Sequence, residues 1–236
     1  MKLELFEKPK KGAIIIEGFP GFGLVSTIAT EYLIDHLNAK LIGKFVSDKI
    51  PALVAIHKGQ IVEPFGVFYD EKKNIVIVRA IASIANIEWE IADTLINLCD
   101  EIKSKEFISV EGVGGEGRTP EPNAFYFCLN KQKAKAFEKI GLKQLQEGII
   151  VGVTATLLTK LPETNFIFTE AVSDMPDSRA AAKVIEVLDK YLGLDIDYKP
   201  LIQKAEKFEK KIKELLVKGM EASQERAKKE ETAYVG

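Results

Sequence analysis

Two glycine-rich loops carry most of the chemical potential of this sequence. The first, Gly18-Phe19-Pro20-Gly21-Phe22-Gly23, follows the β-branched run Ala13–Glu17 and opens a helical apolar stripe of Leu24, Ile28, Tyr32 and Leu33. Free N–H groups and the dipole at a helix start attract phosphate. Gly21, Gly23 and Ser26 approximate a dinucleotide fingerprint, with Asp48 ending a later strand. Ser26 stands where the third glycine belongs, and Phe19 and Phe22 add bulk where a cofactor needs room. A tight strand-to-helix turn, with both rings packed against the sheet or a partner, accounts for the loop better. The second loop, Gly112-Val113-Gly114-Gly115-Glu116-Gly117-Arg118, also follows an apolar run. It falls at the carboxyl edge where open α/β sheets bind ligands, and Arg118 suits bidentate capture of an anion. It lacks the Gly-Lys-Ser/Thr of a phosphate loop, so a surface loop is the competing reading.

Other reactive residue types are dispersed. His36 falls at a helix end and His57 at a strand end, neither with an acidic sequence neighbour that would orient it. Cys99 and Cys128 lie in apolar surroundings and read as small core residues. Glu88 and Glu90 are two apart on a helix and point different ways. No nucleophile elbow and no metal-ligand spacing occurs. Catalysis, a metal and a cofactor are therefore not expected. Asp174 or Asp177 can serve the start of the helix that holds Pro176, and Arg179 can face an interface.

The chain has 236 residues and a formal net charge of −2, which argues against a broadly basic nucleic-acid binder. Its longest uncharged stretch is Gly18–Thr30, shorter than the ~20 residues of a membrane span. The early charges of Lys2, Glu4 and Glu7 do not suit a secretory signal, and two cysteines make no disulfide framework. A reducing, cytoplasmic setting is the expectation. Lysine outnumbers arginine 29 to 4 and glutamate outnumbers aspartate 25 to 10, the direction of the hyperthermophile bias.

These residues need a scaffold to position them. Short apolar runs at Ala13–Glu17, Leu41–Ser47, Leu53–His57, Ile61–Tyr69, Ile75–Arg79, Phe107–Glu111, Phe125–Leu129 and Asn165–Glu170 read as strands. The polar stretch 70–74 reads as a hairpin turn. Helical periodicity marks Gly23–Leu37, Asn86–Lys105 with Asn86 as cap, Lys131–Lys139, Thr154–Leu161 and Pro176–Leu192. The alternation predicts an α/β body over residues 1–195, with a central mixed or parallel sheet flanked by helices. Residues 196–236 read as a helical arm. Half of the residues in Leu201–Thr232 are charged, and Leu201, Ala205, Phe208, Ile212 and Leu215 follow a heptad seam. The arm is expected to pack through its first half and project beyond, presenting an apolar tip of Ala233, Tyr234 and Val235. A tyrosine anchor there suits docking on another protein.

Glu17 to Val25, the Gly112–Arg118 loop and Pro176-Asp177-Ser178-Arg179-Ala180-Ala181 occur in one order, and together resemble the proteasome assembly chaperone family, in particular its archaeal homologues. The resemblance spans about Lys11 to Leu192. It implies layers similar to those of nucleoside phosphorylases, with a projecting C-terminal amphipathic helix. It also implies a non-enzymatic, ATP-independent chaperone that binds proteasome α-subunits and helps their ring assemble. A homo-oligomer is implied, and a related sister protein is a further expected partner. Ala233-Tyr234-Val235 resembles the hydrophobic-Tyr-any tripeptide of proteasome activators, except that Gly236 places Tyr234 third from the end. On this reading Gly18, Pro20, Gly21, Gly23, Gly114, Gly115 and Arg118 are structural. A nucleotide- or nucleoside-binding protein using the same loops is the alternative.

Overall fold

The computed structural model describes residues 1–203 except 58, 83, 116–120, 162, 173 and 174, and beyond them only residues 211, 214, 217 and 218. The elements follow one another as β1 (Lys2–Leu5), β2 (Ile14–Gly18), α1 (Val25–Leu37), β3 (Lys40–Val46), the hairpin β4 (Ala55–His57) and β5 (Gln60–Val62), then β6 (Phe65–Asp70) and β7 (Ile75–Ala80). Next come α2 (Glu88–Ile102), β8 (Glu106–Gly114), β9 (Ala124–Phe127), α3 (Lys131–Lys139), β10 (Lys143–Gln144), α4 (Gly152–Lys160), β11 (Asn165–Ala171), α5 (Ser178–Leu192) and α6 (Lys199–Gln203). Nine strands form one sheet in the order β1-β3-β6-β7-β2-β8-β11-β9-β10. The central four, β7-β2-β8-β11, are parallel, and β1, β3, β6 and β9 join antiparallel. The sheet is thus mixed, as the alternation and the hairpin predict.

Parallel strands need cover on both faces, so their runs are apolar throughout. In β2 the side chains alternate between two cores. Ile16 joins Ile28, Leu33, Ile108 and Ile185 beneath α1 and α5. Ile15 joins Val76, Ile91, Phe107 and Leu157 beneath α2 and α4. Leu194, Ile196 and Leu201 extend the first core past residue 195. Among the described residues, no helix is long and apolar enough to cross a membrane.

Several local expectations are corrected. The charged N-terminus forms edge strand β1, paired with β3, because an edge strand tolerates charge on its open side. β8 does not stop at Glu111 but runs to Gly114, since β11 continues alongside it to Ala171. The hairpin strand begins at Ala55 rather than Leu53, and α4 begins at Gly152 rather than Thr154. Asn86 does not cap α2. It adopts a left-handed φ of 68°, and the cap position falls to Ile87, with no side-chain bond. Asp177, by contrast, caps α5 as expected, accepting from the N–H groups of Arg179 and Ala180 at 3.2 and 3.1 Å. Asp174 lies outside the described residues.

Two buried polar knots cross-link the layers. At the strand amino ends, Glu106 of β8 pairs with Lys133 and accepts from Asn165 at 2.7 Å and from Tyr191 at 2.6 Å. At the other end Arg79 of β7, 3% exposed, pairs with Glu31 of α1, donates to the Glu63 carbonyl at 2.9 Å and lies over the Phe68 ring. Lys211 reaches the second Glu31 oxygen at 3.1 Å. Of the predicted seam, Leu201 is buried; Ala205, Phe208, Ile212 and Leu215 lie outside the described residues. Glu214, Val217 and Lys218 are exposed.

Removing one partner of a buried ion pair leaves an uncompensated charge. Glu31→Gln is therefore expected to destabilise the fold by about 3–5 kcal/mol. Adding Arg79→Met should recover part of that loss, measured by urea denaturation of both variants.

Candidate functional site

In an open α/β sheet the ligand crevice forms where connections from adjacent parallel strands leave in opposite directions. Here β2 leads through α1 to β3 on the β7 side, whereas its neighbour β8 leads directly to β9, on the far side of β11. The carboxyl ends of β2 and β8 are thus the switch point. Each strand carries a Glu-Gly pair near its carboxyl end, Glu17-Gly18 in β2 and Glu111-Gly112 in β8.

The glycines of both loops serve close packing. A Cβ at Gly112 would strike the carbonyl oxygen of Phe22, and one at Gly21 would strike the Glu111 carboxylate. A Cβ at Gly18 would stand 2.6 Å from the Ser26 carbonyl oxygen in α1. Gly23 has φ +58°, and its carbonyl accepts from the Asp177 N–H at 2.8 Å, so the loop is also joined to the start of α5. Leu24 follows with φ +50°, a left-handed residue that packs partly buried against the first core. Gly115 donates to the Ala171 carbonyl at 3.3 Å. Phe19 is buried edge-on against Phe65, while Phe22 stays partly exposed.

Above this joint lies a crevice of about 470 Å³. The first loop forms one wall, the segment around Ile84 before α2 another, and Ile149–Thr154 at the start of α4 a third. Pro20, Gly21 and Gly114 line it, and Ile149 (93% exposed) and Val151 (63%) stand at its rim. Glu88 and Glu111 are its acidic members, and its described lining residues include no lysine or arginine. Arg118 lies outside the described residues. Such a lining repels phosphate rather than cradling it. Among the described residues no group of three His, Cys, Asp or Glu is placed to hold a metal ion.

Glu111 accepts from the Thr154 hydroxyl and from the Gly112 N–H, each at 3.1 Å. Burial outweighs these bonds and pushes its carboxyl up to about 7. Glu17, wholly buried, pairs across the strands with Ser109. Its burial pushes it up to about 8; Ser109 lowers it, and repulsion from Glu111 adds to the rise. Neither carboxyl stood out in the sequence as a site residue. The available signal was an acid closing each of two β-branched runs, on the face that alternation assigns to the core. The cysteines behave as small core residues, and burial pushes the Cys99 thiol up to about 11. His36 stacks near Tyr32, far from any acid–base role in the crevice. Arg179 is exposed at the start of α5. Ala233, Tyr234 and Val235 lie outside the described residues.

Two outcomes follow from this geometry. Gly112→Ala must displace the Phe22 backbone and is expected to cost about 1–3 kcal/mol. Gly114→Ala, whose Cβ would meet only the Phe22 ring edge at an ordinary 3.6 Å, should be nearly silent; thermal melts of the two variants distinguish them. The carboxyls give a pH signature. Their folded-state values exceed the unfolded value of 4.5, so the native state holds protons that the unfolded chain has lost. Stability is full below about 4.5 and falls as pH rises toward about 8. Glu17→Gln should flatten much of that fall and be more stable than the parent above pH 8, read by denaturant titration across the range.

Comparisons with known proteins agree with this architecture. An uncharacterised protein of Methanocaldococcus jannaschii is 30% identical over 214 residues, 89% of this chain and 86% of that one. The crystal structure of Pyrococcus furiosus PbaA, described as an archaeal homolog of proteasome-assembly chaperone, superposes with a TM-score of 0.84 at 30% identity, covering 94% of this chain and 100% of that one. Pyrococcus furiosus PbaB, described as an archaeal proteasome activator, shares the fold at 24% identity and a TM-score of 0.74, covering 91% and 98%. The PAC2 family model matches residues 15–216, from β2 through both glycine loops and beyond α6, and the chain belongs to the PAC2 family.

Proposed function

We propose that this protein is an ATP-independent assembly chaperone that binds proteasome α-subunits and promotes formation of their ring. The observation that carries this reading is the near full-length likeness to PbaA, at 30% identity and a TM-score of 0.84. The chemistry of the site supports it. The crevice is apolar and acidic, its glycines are used for packing, and its described residues offer no cation for nucleotide phosphates. A nucleotide-dependent reading therefore has less support than a polypeptide-binding one, and the protein acts by association rather than turnover.

The body, residues 1–195, would hold subunits together in a homo-oligomer, with or without a related sister chain. The arm, residues 196–236, would contribute to client binding, with Tyr234 as anchor between Ala233 and Val235. Several arms on one oligomer raise avidity without strong single contacts. Exposed apolar side chains on the body, such as Ile56 and Ile61, paired on the β4–β5 hairpin, add protein-binding surface.

The test uses archaeal proteasome α-subunits and native mass spectrometry. The full-length chain should form a complex with α-subunits and speed ring formation. A chain stopped at Gly219 should bind about tenfold or more weakly. Equal binding by the two would remove the arm from the mechanism, and absence of any complex would overturn the assembly reading.

A further inference from the structure

The crevice between β2 and β8 combines features that the assembly reading does not use. Its walls are apolar, with Phe19, Phe22, Ile84, Ile150 and Val153 among them, and its volume is in the ordinary range of ligand pockets. Its ionisable members are carboxyls, Glu111 within it and Glu88 at the start of α2, with no described lysine or arginine. Two of the roughly four lone-pair positions of Glu111 are taken, by Thr154 and by Gly112. Glu17 lies one strand over, wholly buried beside Ser109. Gly21, with no side chain, lies directly against the Glu111 carboxylate on one side, and Glu111 itself lines the crevice.

We propose that this crevice binds an organic cation carried on an apolar stem, an alkylammonium or guanidinium group of the kind a lysine or arginine side chain presents. Such a ligand lays its methylenes along apolar walls while its head meets a carboxylate. The apolar lining and the two carboxyls call for both halves. A metal ion fits poorly, because hard cations require about six oxygen ligands and the described residues offer no cluster of three. An anion fits poorly because Glu88, Glu111 and the buried Glu17 oppose it. The amino end of α4, which would otherwise favour an anion, is already served by Glu111 through Thr154. Desolvation alone holds Glu111 partly protonated near neutrality, and an incoming cation restores the ionised form. The groups bearing on Glu111 are Thr154 from α4, Gly21 from the first loop, the Gly112 N–H of its own strand and Glu17 from β2, and Glu88 from α2 lines the same crevice.

The full chain is titrated calorimetrically with N-acetyl-leucyl-lysine amide, with the same dipeptide acetylated at Nζ, and with butylamine. The cationic dipeptide should bind at least about tenfold more tightly than its acetylated form. Its affinity should rise as pH passes about 7 and Glu111 ionises. Glu111→Gln should abolish that pH dependence together with the charge preference. This variant removes a buried charge, so it is expected to fold; the comparison of the two dipeptides on the unaltered chain tests the site regardless. Butylamine matching the dipeptide would assign the site to free amines, and a much weaker butylamine would assign it to polypeptide side chains. Equal binding of the charged and acetylated dipeptides, no binding of any probe at millimolar concentration, or an unchanged profile in Glu111→Gln would each overturn the proposal. The inference is independent of the assembly reading. A chain that takes the dipeptide but ignores α-subunits would retain the site and lose the chaperone, and the reverse result would do the opposite.

Discussion

The contact on which the rest depends is the seating of the Phe22 carbonyl on Gly112, backbone against backbone with no space for a side chain. It binds the loop after β2 to the end of β8. Gly23, next in the chain, ties the same loop to the start of α5 through the Asp177 N–H. Three separate segments therefore meet at one point above the switch of strand direction. α1 can leave β2 at the angle needed to cover the first core only because this joint is tight. The close approach at Gly18 to the Ser26 carbonyl in α1 belongs to the same joint.

Two acids are trapped by that closure. Glu17 and Glu111 lie near the carboxyl ends of adjacent parallel strands; Glu17 is wholly buried, and Gly21 of the first loop and Thr154 of α4 pack against Glu111. Burial favours their neutral forms, which makes the region a place where protons or cations matter. Packing at this depth is costly for a carboxyl, and a fold selected for stability alone would place an apolar side chain at position 17. At the opposite corner, Glu31 is treated differently: Arg79 and Lys211 both face it. That second group also joins a residue of the C-terminal segment to the body, so electrostatics and the placement of that segment are linked.

The strands and helices were legible because their apolar periods are strong. Ala13–Glu17, Ile75–Arg79 and Lys131–Lys139 could be read within a residue or so. The errors fell where tertiary pairing overrides local signals. β8 continues through Gly112 and Gly114 because β11 runs beside it, although glycines normally weaken a strand. Asn86 has the residue type of a cap, yet it takes a left-handed φ and the cap position falls to Ile87. Of the site, the two glycine loops were visible from composition. The meaning of their glycines was visible only once Phe22 and Glu111 were placed against them.

By itself the sequence determined the layered α/β class and the resemblance to a chaperone family through three ordered motifs. These depend on local period and on residue identity, which the chain carries along its own length. The tertiary structure alone decided that Glu17 and Glu111 become neighbours, that the glycines act as spacers, and that the crevice between them is acidic and apolar. Those properties arise from residues about ninety positions apart brought into parallel register, and no local signal records which strands will lie side by side.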